Sequence, residues 1–434
     1  MRSRAITVCL LLAVSVSAFA QSVILNNPGT KGTVAIRNAT IVPVTAAPIA
    51  NGTIVFSGGT ITAIGANAAV PTGATVIDGT GLSVYPGLID SGTTIGLTEV
   101  GSVSGTNDVS ELGDLNPNAR VEVALNPHSN VIPVTRINGI TTVLTRPGGG
   151  MIAGRSALIQ LAGWTPSEMV LKAPVGMHIN FPRIRAGGSF FEQPQDEEAE
   201  KDRKKQYTRQ LDMLRDTFRD AQAYAKAMDA RGAQRFDRDL ILENLVEVVK
   251  GNVPVIVHAD NAADIREAIK FTKELSLKMI LSGGDDVQQV IKELKENDIP
   301  VLLGPIWSLP PREDDPYDML FTNAHALQQA GVRFAIQTEE AHDARNLPYQ
   351  AASCAAYGLP KEEALKAITI YPAQIFGVAD RLGSLEVGKI ANLIVTDGDP
   401  LEIRTQVKRV FIGGEEIPME SNQTLLYKKF SQRP

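Results

Sequence analysis

The sequence predicts an α/β fold in which a (β/α)8 TIM barrel is inserted into a small β-sandwich made from the two ends of the chain. The middle of the chain alternates short apolar runs with amphipathic helical segments, which is the pattern of parallel βα units. The two ends carry short runs rich in Val, Ile and Thr, broken by glycine pairs, which are typical of antiparallel hairpins. We therefore predict a composite β domain at 21–84 plus 385–434 and a barrel at 85–384.

Apolar runs in the middle of the chain fit the strands of such a barrel. They are Leu88–Ile89, Gly139–Leu144, Ala157–Leu161, Val175–Ile179, Val253–Val257, Lys278–Leu281, Pro300–Leu303 and Val332–Ile336. A long helix is predicted at Arg203–Ala230, because its apolar residues recur on one face. That face consists of Leu211, Leu214, Phe218, Ala221, Tyr224 and Ala225. In a barrel of this type the functional residues lie on the loops that follow the strands.

Residues 1–20 have the features of a cleaved secretory signal peptide. Arg2 and Arg4 precede an apolar run, and Ala18-Phe19-Ala20 supplies small residues for cleavage before Gln21. The run is too short to span a membrane comfortably, so we expect a periplasmic or secreted chain without a transmembrane anchor after cleavage.

Composition and cysteine content narrow the class of protein further. Of 434 residues, 44% are hydrophobic and 21% charged, which is ordinary for a globular chain. The net charge of -6 is opposite to the basic excess of nucleic-acid-binding proteins, so we expect no nucleic-acid partner. The expected partner is a small-molecule substrate or ligand. Cys9 lies in the leader, and Cys354 then has no cysteine to pair with; its apolar surroundings favour a core residue.

Three motifs in order give the chain a resemblance to a known family. They are Pro86-Gly-Leu-Ile-Asp90, Thr369-Ile-Tyr-Pro-Ala-Gln-Ile375 and Gly383-Ser-Leu-Glu-Val-Gly-Lys-Ile-Ala-Asn-Leu-Ile-Val395. Together they resemble the amidohydrolase superfamily, in particular the imidazolonepropionase-like and related exported amidohydrolases. The resemblance implies a barrel inserted in a sandwich, and hydrolysis of C–N bonds assisted by zinc or another divalent metal.

The metal-ligand positions that the resemblance implies have largely changed in this chain. The two histidines of the first strand correspond to Gly92 and Thr94, and the histidine after the sixth strand falls on Gly283. Neither glycine nor a single threonine replaces an imidazole as a zinc ligand.

His258 fits the histidine after the fifth strand, and Glu339 stands where the family has an aspartate. His178 is the counterpart of a fourth-strand ligand. These three side chains form the candidate metal set, and we expect a degenerate site that holds one ion or none.

Other side chains are placed at the predicted barrel mouth by their position after a strand. Glu339 and His342 are candidates for an acid/base pair, with a simple charge network as the alternative. Arg146, which opens an Arg-Pro-Gly-Gly-Gly turn, and Arg345 are candidate ligand-binding residues, together with His258 and Asp285. The alternative for Asp285 and for its neighbour Asp286 is helix capping.

Three hypotheses about function remain open at the level of sequence. The first is a hydrolase of the amidohydrolase type, acting on C–N bonds with an altered metal site. The second is a non-catalytic exported binding protein that uses the barrel mouth as a ligand cleft. The third is a metal-free enzyme in which Glu339 and His342 act as general acid and base.

Overall fold

The computed structural model describes residues 32–183, 197–230 and 237–433. The predicted signal peptide at 1–20, with Cys9, lies outside these residues. In the described part of the chain, no helix combines the length and the apolar character needed to cross a membrane.

The strands are short, as is usual for α/β proteins. In chain order they are β1 Thr33–Ile41, β2 Ile49–Ser57, β3 Thr60–Gly65, β4 Thr75–Asp78, β5 Ser83–Pro86, β6 Leu88–Thr93, β7 Ile140–Thr145, β8 Ile152–Arg155, β9 Ala157–Gln160, β10 Val170–Lys172, β11 Met177–Asn180, β12 Val255–Ala259, β13 Met279–Gly283, β14 Val301–Leu303, β15 Phe334–Ile336, β16 Leu393–Thr396, β17 Val407–Ile412 and β18 Glu415–Ile417.

The helices follow the strands of the middle region. They are α1 Val121–Ala124, α2 Val131–Arg136, α3 Pro166–Met169, α4 Glu197–Ala230, α5 Leu240–Val249, α6 Ala262–Glu274, α7 Ile291–Glu296, α8 Met319–Ala330, α9 Leu347–Ala356, α10 Lys361–Lys366, α11 Ile370–Ile375 and α12 Asn422–Phe430. Short 3-10 turns lie at Ser104–Thr106, Val287–Gln289 and Ala344–Asn346.

The two ends of the chain meet in one sheet with the order β18-β17-β16-β5-β1-β2-β3, and β4 pairs with β1. β16 runs antiparallel to β5, so that a strand from the C-terminal end lies directly beside one from the N-terminal end. Phe56 and Phe411 pack edge to face in the core of this sheet, with ring centroids 5.0 Å apart. The ends therefore pair as the hairpin pattern indicated, whereas the sandwich form and the domain boundaries stay predictions.

The middle of the chain supplies two more sheets. β11 to β15 are consecutive parallel neighbours, and β6 runs parallel to β7. The segment after β15 lies beside β6, because Glu339 forms an isolated parallel bridge with Thr93 at the end of β6. The carboxyl ends of these strands therefore point the same way, and side chains that follow them are brought to one end of the array.

The third predicted strand differs from the expectation of a parallel βα unit. β9 runs antiparallel to β7, and β8, which the sequence pattern did not predict, runs antiparallel to β11. The physical reason is the connection between them. A parallel neighbour needs a crossover of about a dozen or more residues, usually a helix, whereas the described residues 146–156 between β7 and β9 contain only β8.

The parallel strands have two apolar faces. One face packs against helices such as α4, whose predicted apolar face is buried as expected. Ile89, Ile256, Ile280 and Leu302 belong instead to a second buried cluster, together with residues of α11 and the segment after it. Fully burying each of these side chains contributes about 1.5–3 kcal/mol.

The second apolar cluster gives way to polar side chains further along each strand. Side chains two residues apart lie on the same face of a strand, so Ile256 leads to His258, Ile280 to Ser282 and Ala335 to Gln337. All three polar residues are at least half-buried. We call the second buried cluster, which includes Ile256 and Ile280, the apolar plug. We call the polar side chains nearer the carboxyl ends of the strands, which include His258, Ser282 and Gln337, the polar layer.

Candidate active site

A buried aspartate in β6 joins this strand to the segment that follows β15. Thr338 Oγ1 donates to Asp90 Oδ2 over 2.5 Å, and the Thr338 amide donates to Asp90 Oδ1 over 3.2 Å. The Gly92 amide gives Oδ1 a second hydrogen bond of 3.1 Å. Burial nevertheless dominates and raises the pKa of Asp90 to about 7. We call this arrangement the Asp90 tie.

The residue after the tie, Glu339, carries the candidate carboxylate in a left-handed backbone conformation with φ of 64°. A non-glycine residue with positive φ costs about 1–3 kcal/mol and persists only where its surroundings hold it. The Glu339 amide donates to the Gly92 carbonyl over 2.8 Å, and Glu339 Oε1 lies 3.8 Å from Arg146 Nη2. Burial raises the pKa of Glu339, although Arg146 opposes the shift.

His178 and His258 form a hydrogen-bonded pair on the neighbouring strands β11 and β12. His178 Nδ1 lies 2.9 Å from His258 Nε2. Burial, followed by the positive charge of Arg146, holds the pKa of both rings well below the usual value for histidine. Both rings are therefore neutral at pH 7. Among the described residues, no hydrogen-bond partner reaches the buried Nε2 of His178.

Three carboxyl groups influence one another electrostatically: Asp260, Asp285 and Glu339. Burial is the first cause that raises the pKa of Asp285, to about 7, and the charges of Asp260, Glu339 and Asp286 add to it. Burial also raises the pKa of Asp260, whose Oδ2 lies 3.3 Å from Arg183 Nη2. Asp285 is therefore partly protonated near neutral pH.

Polar side chains fill the space beside Gly92 and Gly283, the two glycines that replace family histidines. A Cβ atom added at Gly92 would collide with Gln337 Oε1, and one added at Gly283 would collide with Asp260 Oδ1. Gln337 is fixed there by Ser282, because Gln337 Nε2 donates to Ser282 Oγ over 3.0 Å. At both positions the lack of a Cβ atom leaves room for the neighbouring polar side chain.

Thr94, at the second first-strand position, has a backbone partner. Its Oγ1 accepts a hydrogen bond of 3.2 Å from the Ala341 amide, and the residue is buried. Thr94 therefore helps to hold the segment after β15 against β6.

Asp286 does not cap the turn that follows it, contrary to what the sequence suggested. In the described structure, Asp286 accepts no side-chain hydrogen bond from the 3-10 turn that follows it. Its oxygens instead accept from Arg312, over 2.5 and 2.9 Å, and from the Ala262 amide at the start of α6, over 3.1 Å. A guanidinium binds a carboxylate through two parallel hydrogen bonds, and this geometry is stronger than a single cap.

His342 and Arg345, which the sequence suggested for the same mouth, line a different cavity. That cavity of about 220 Å³ also contains Glu99 and Gln423, and neither Arg146 nor Glu339 borders it. The structure therefore brings together Arg146, His178, His258 and Glu339, with Asp285 close enough for the charge of Glu339 to raise its pKa, and it places His342 and Arg345 elsewhere.

Sequence reasoning missed several polar residues of this layer: Asp90, Asp260, Ser282, Gln337 and Thr338. A signal for some of them was present. Asp90 and Ser282 each follow a short apolar run, at the position where a parallel strand presents its functional side chains. Gln337 and Thr338 also follow an apolar run, Val332–Ile336, but amide and hydroxyl side chains are common after any strand, so their type added no signal.

The structure is an α/β array with buried carboxyls, histidines and an arginine near the ends of its strands, and comparison with known proteins identifies its family. The model of the amidohydrolase family matches residues 136–417, and the chain therefore belongs to that family. The resemblance drawn from the three motifs is confirmed.

Individual relatives agree with this assignment. Amidohydrolase tasK of Hapsidospora irregularis is 22% identical over 384 residues, which cover 80% of this chain. The chain spans only 37% of the length of that relative.

Solved structures show the same fold. An amidohydrolase from Thermotoga maritima MSB8 is 27% identical, with a TM-score of 0.78 over 88% of this chain and 99% of that chain. Molinate hydrolase, at 17% identity, has a TM-score of 0.56 over 90% of this chain and 96% of its own, and its likeness is one of fold alone.

Proposed function

We propose that this protein hydrolyses carbon–nitrogen bonds in small molecules at the polar layer, and that it does so without a resident metal ion. The observation that carries the proposal is the convergence of Arg146, the neutral histidine pair and the carboxyls Asp285 and Glu339. Family membership supports the reaction class, since hydrolysis of C–N bonds is the general activity of amidohydrolases. We also propose, from the leader pattern at 1–20, that the protein acts in the periplasm or outside the cell.

The scaffold that we propose is a barrel closed by β6, β7 and β11–β15, with β8 and β9 inserted. The Thr93–Glu339 bridge and the Asp90 tie support closure between the first and last of these strands. The apolar plug supports it as well, because side chains from both sheets of the middle region pack in one cluster. On this scaffold the polar layer lies at the carboxyl end, where such barrels hold their active sites.

Zinc, which the family resemblance implies, does not fit the side chains of this chain. The facing nitrogens of His178 and His258 are already joined by a hydrogen bond, and the guanidinium of Arg146 lies close enough to lower the pKa of both rings. No group of three His, Cys, Asp or Glu residues in the described part of the chain is arranged to hold a metal ion. Catalytic zinc uses three such protein ligands. We therefore describe the chemistry through the protein's own residues.

Arg146 is suited to bind the carbonyl oxygen of an amide. When water adds to the carbonyl carbon, that oxygen becomes negatively charged, and a guanidinium in a water-poor site stabilises the charge. The side chain of Arg146 is only 14% exposed. Its buried Nε has no hydrogen-bond partner among the described residues, which leaves a donor free.

Asp285 and Glu339 are suited to move the two protons that hydrolysis requires. Ionised Asp285 accepts a proton from the attacking water, and its pKa of about 7 leaves both protonation states populated near neutral pH. Glu339, whose pKa is raised, donates a proton to the nitrogen as the C–N bond breaks. The products are a carboxylic acid and an amine, and solvent exchange returns the proton from Asp285 to Glu339.

The test is turnover by the purified chain, after treatment with a chelator, on a panel of small linear amides, cyclic amides and dipeptides, followed by release of amine. Arg146→Gln should lower kcat about 100- to 1,000-fold, which is typical for loss of a group that stabilises an oxyanion. The matched control is Arg333→Gln, since Arg333 lies at the surface and pairs with the exposed Asp298.

Two outcomes would contradict the proposal. Turnover that disappears with the chelator and returns with zinc would reject a metal-free centre. A substrate that binds at the polar layer, as judged by weaker binding to Arg146→Gln, but is never cleaved would reject the hydrolase.

A further inference from the structure

The cavity that contains His342 and Arg345 has no role in the proposed reaction, and its lining carries opposite charges on different segments. Glu99 comes from the loop after β6, and His342 and Arg345 come from the loop after β15. α2 forms another wall, and Gln423 of α12 lies at the rim. We call this cavity the loop pocket.

Glu99 is held in place but keeps its negative charge unpaired. Its Oε1 accepts from Asn126 Nδ2 over 3.2 Å, and its Oε2 accepts from the Asn130 amide over 3.1 Å. No lysine, arginine or histidine within the described ranges lies within 4.0 Å of these oxygens. Both hydrogen bonds come from neutral groups, so the carboxylate is positioned without being neutralised, and each oxygen retains a free lone pair.

Arg345 supplies the opposite charge. Its backbone carbonyl is fixed by Asn138 Nδ2 at 2.5 Å, while its guanidinium makes no ion pair or hydrogen bond in the described part of the chain. Arg345 and Glu99 line one cavity yet do not pair with each other within the 4.0 Å limit of an ion pair. The space between them fits a ligand that carries both charges.

The remaining wall is apolar, with a single buried hydroxyl. Val131 and Val134 present α2 side chains to the pocket, and Thr135 lies fully buried beside them. Thr135 Oγ1 has no hydrogen-bond partner among the described residues. A ligand here therefore meets valine methyl groups on one side and a free polar group behind them.

The size of the loop pocket limits the ligand. Its volume of about 220 Å³ is below the roughly 300–1,000 Å³ of pockets for drug-sized molecules. We propose that the loop pocket binds a free apolar α-amino acid. Its carboxylate pairs with Arg345, its ammonium group pairs with Glu99, and its side chain packs against Val131 and Val134.

This site is separate from the polar layer but shares its supporting segments. The Ala341 amide bonds to Thr94 Oγ1 between the two sites, and Glu339 lies only a few residues before His342 in the chain. The proposal does not depend on the proposed hydrolysis, because binding is measured without turnover.

The experiment is calorimetric titration of the full chain with L-leucine, L-leucinamide and N-acetyl-L-leucine. Leucinamide lacks the carboxylate and the acetyl compound lacks the ammonium group. We expect L-leucine to bind with one molecule per chain and both analogues to bind at least about tenfold more weakly, because each loses a charged hydrogen bond. Glu99→Gln and Arg345→Gln should each weaken L-leucine binding by a similar factor.

Arg404→Gln is the matched control, since Arg404 is an exposed arginine on another loop, and it should bind L-leucine as the unmodified chain does. Arg146→Gln should also retain binding, which separates the loop pocket from the polar layer. Absence of L-leucine binding overturns the proposal. So does binding that Glu99→Gln and Arg345→Gln leave unchanged, and so does equal binding of N-acetyl-L-leucine, which would indicate a site for simple carboxylates.

Discussion

Two aspartates of this protein, Asp90 and Asp285, share a pKa of about 7 but lie in different surroundings. Asp90 is fully buried, and Thr338 and Gly92 donate hydrogen bonds to its carboxyl group. Asp285 is half-buried, and like charges surround it. A raised pKa alone therefore does not mark a catalytic group. A satisfied carboxyl at a strand junction holds the fold, whereas one in a repulsive cluster at an open mouth is available to exchange a proton.

The largest expected effect is on stability. Asp90→Ala should lower the free energy of unfolding by about 4–5 kcal/mol, because three buried donors lose their acceptor and a cavity remains. Asp285→Ala should change it by less than about 1 kcal/mol, since the substitution also removes repulsion. Urea unfolding followed by circular dichroism measures both. A larger loss for Asp285→Ala than for Asp90→Ala would reverse the roles given to the two residues.

The pH dependence of stability gives the second test. The pKa of Asp90 is about 7 in the folded chain against an ordinary value of 3.8 for an aspartate, so the folded state binds the proton more tightly. Its stabilising effect is therefore complete below about pH 4 and is lost as the pH rises to 7, by as much as about 3–4 kcal/mol. Asp90→Asn should remove this dependence, because an amide oxygen accepts from the Thr338 and Gly92 amides as the protonated carboxyl does.

Unfolding midpoints at pH 5 and pH 8 decide this point, with Asp220→Asn on the exposed face of α4 as the control. A parallel loss of stability in Asp90→Asn and in the unmodified chain as the pH rises would contradict this prediction. It would mean that Asp90 is already ionised in the folded state at pH 5 and that its pKa is not raised.

The sequence predicted strands correctly where a strand is an apolar run between two helices, because that pattern is visible in the local sequence. β12 to β15 are apolar runs separated by helices, and their predicted positions agree with the structure to within about two residues, the usual uncertainty of strand ends. The same pattern misled at β9, because an apolar run of this length looks alike in a parallel and an antiparallel strand. β8, with the sequence Ile-Ala-Gly-Arg, is too short and mixed to give a period.

The candidate site was predictable only in part. Position after a strand located Arg146, His258 and Glu339, because the end of a parallel strand is a local property of the chain. The partner of Asp286 is Arg312, whose approach depends on how the loop after β14 folds back, and no local pattern encodes it. His342 lies apart from Glu339 for a similar reason. It follows Glu339 by only three residues, but the loop places it at the wall of another cavity.

Catalysis provides the third test of the comparison. Asp285→Asn should lower kcat/KM about a hundredfold at pH 8, the lower end of the range for a general base. In the unmodified chain kcat/KM should rise with pH through about 7, where Asp285 loses its proton, and this rising limb should vanish in Asp285→Asn. Asp90→Asn should keep the limb. A pH profile that Asp90→Asn flattens and Asp285→Asn preserves would move the general base from the mouth to the tie.

The smallest expected effect isolates one hydrogen bond of the tie. Thr338→Val keeps the shape of the side chain and removes the hydroxyl that bonds Asp90 Oδ2, so the free energy of unfolding should fall by about 1–2 kcal/mol. Thr75→Val, at an exposed position of β4, should stay within about 0.5 kcal/mol of the unmodified chain. Combining Thr338→Val with Asp90→Ala is the decisive step. Once Asp90 is gone, the Thr338 hydroxyl has no carboxyl to bond, so the double variant should be no less stable than Asp90→Ala alone. Fully additive losses would show that Thr338 stabilises the fold through some other contact.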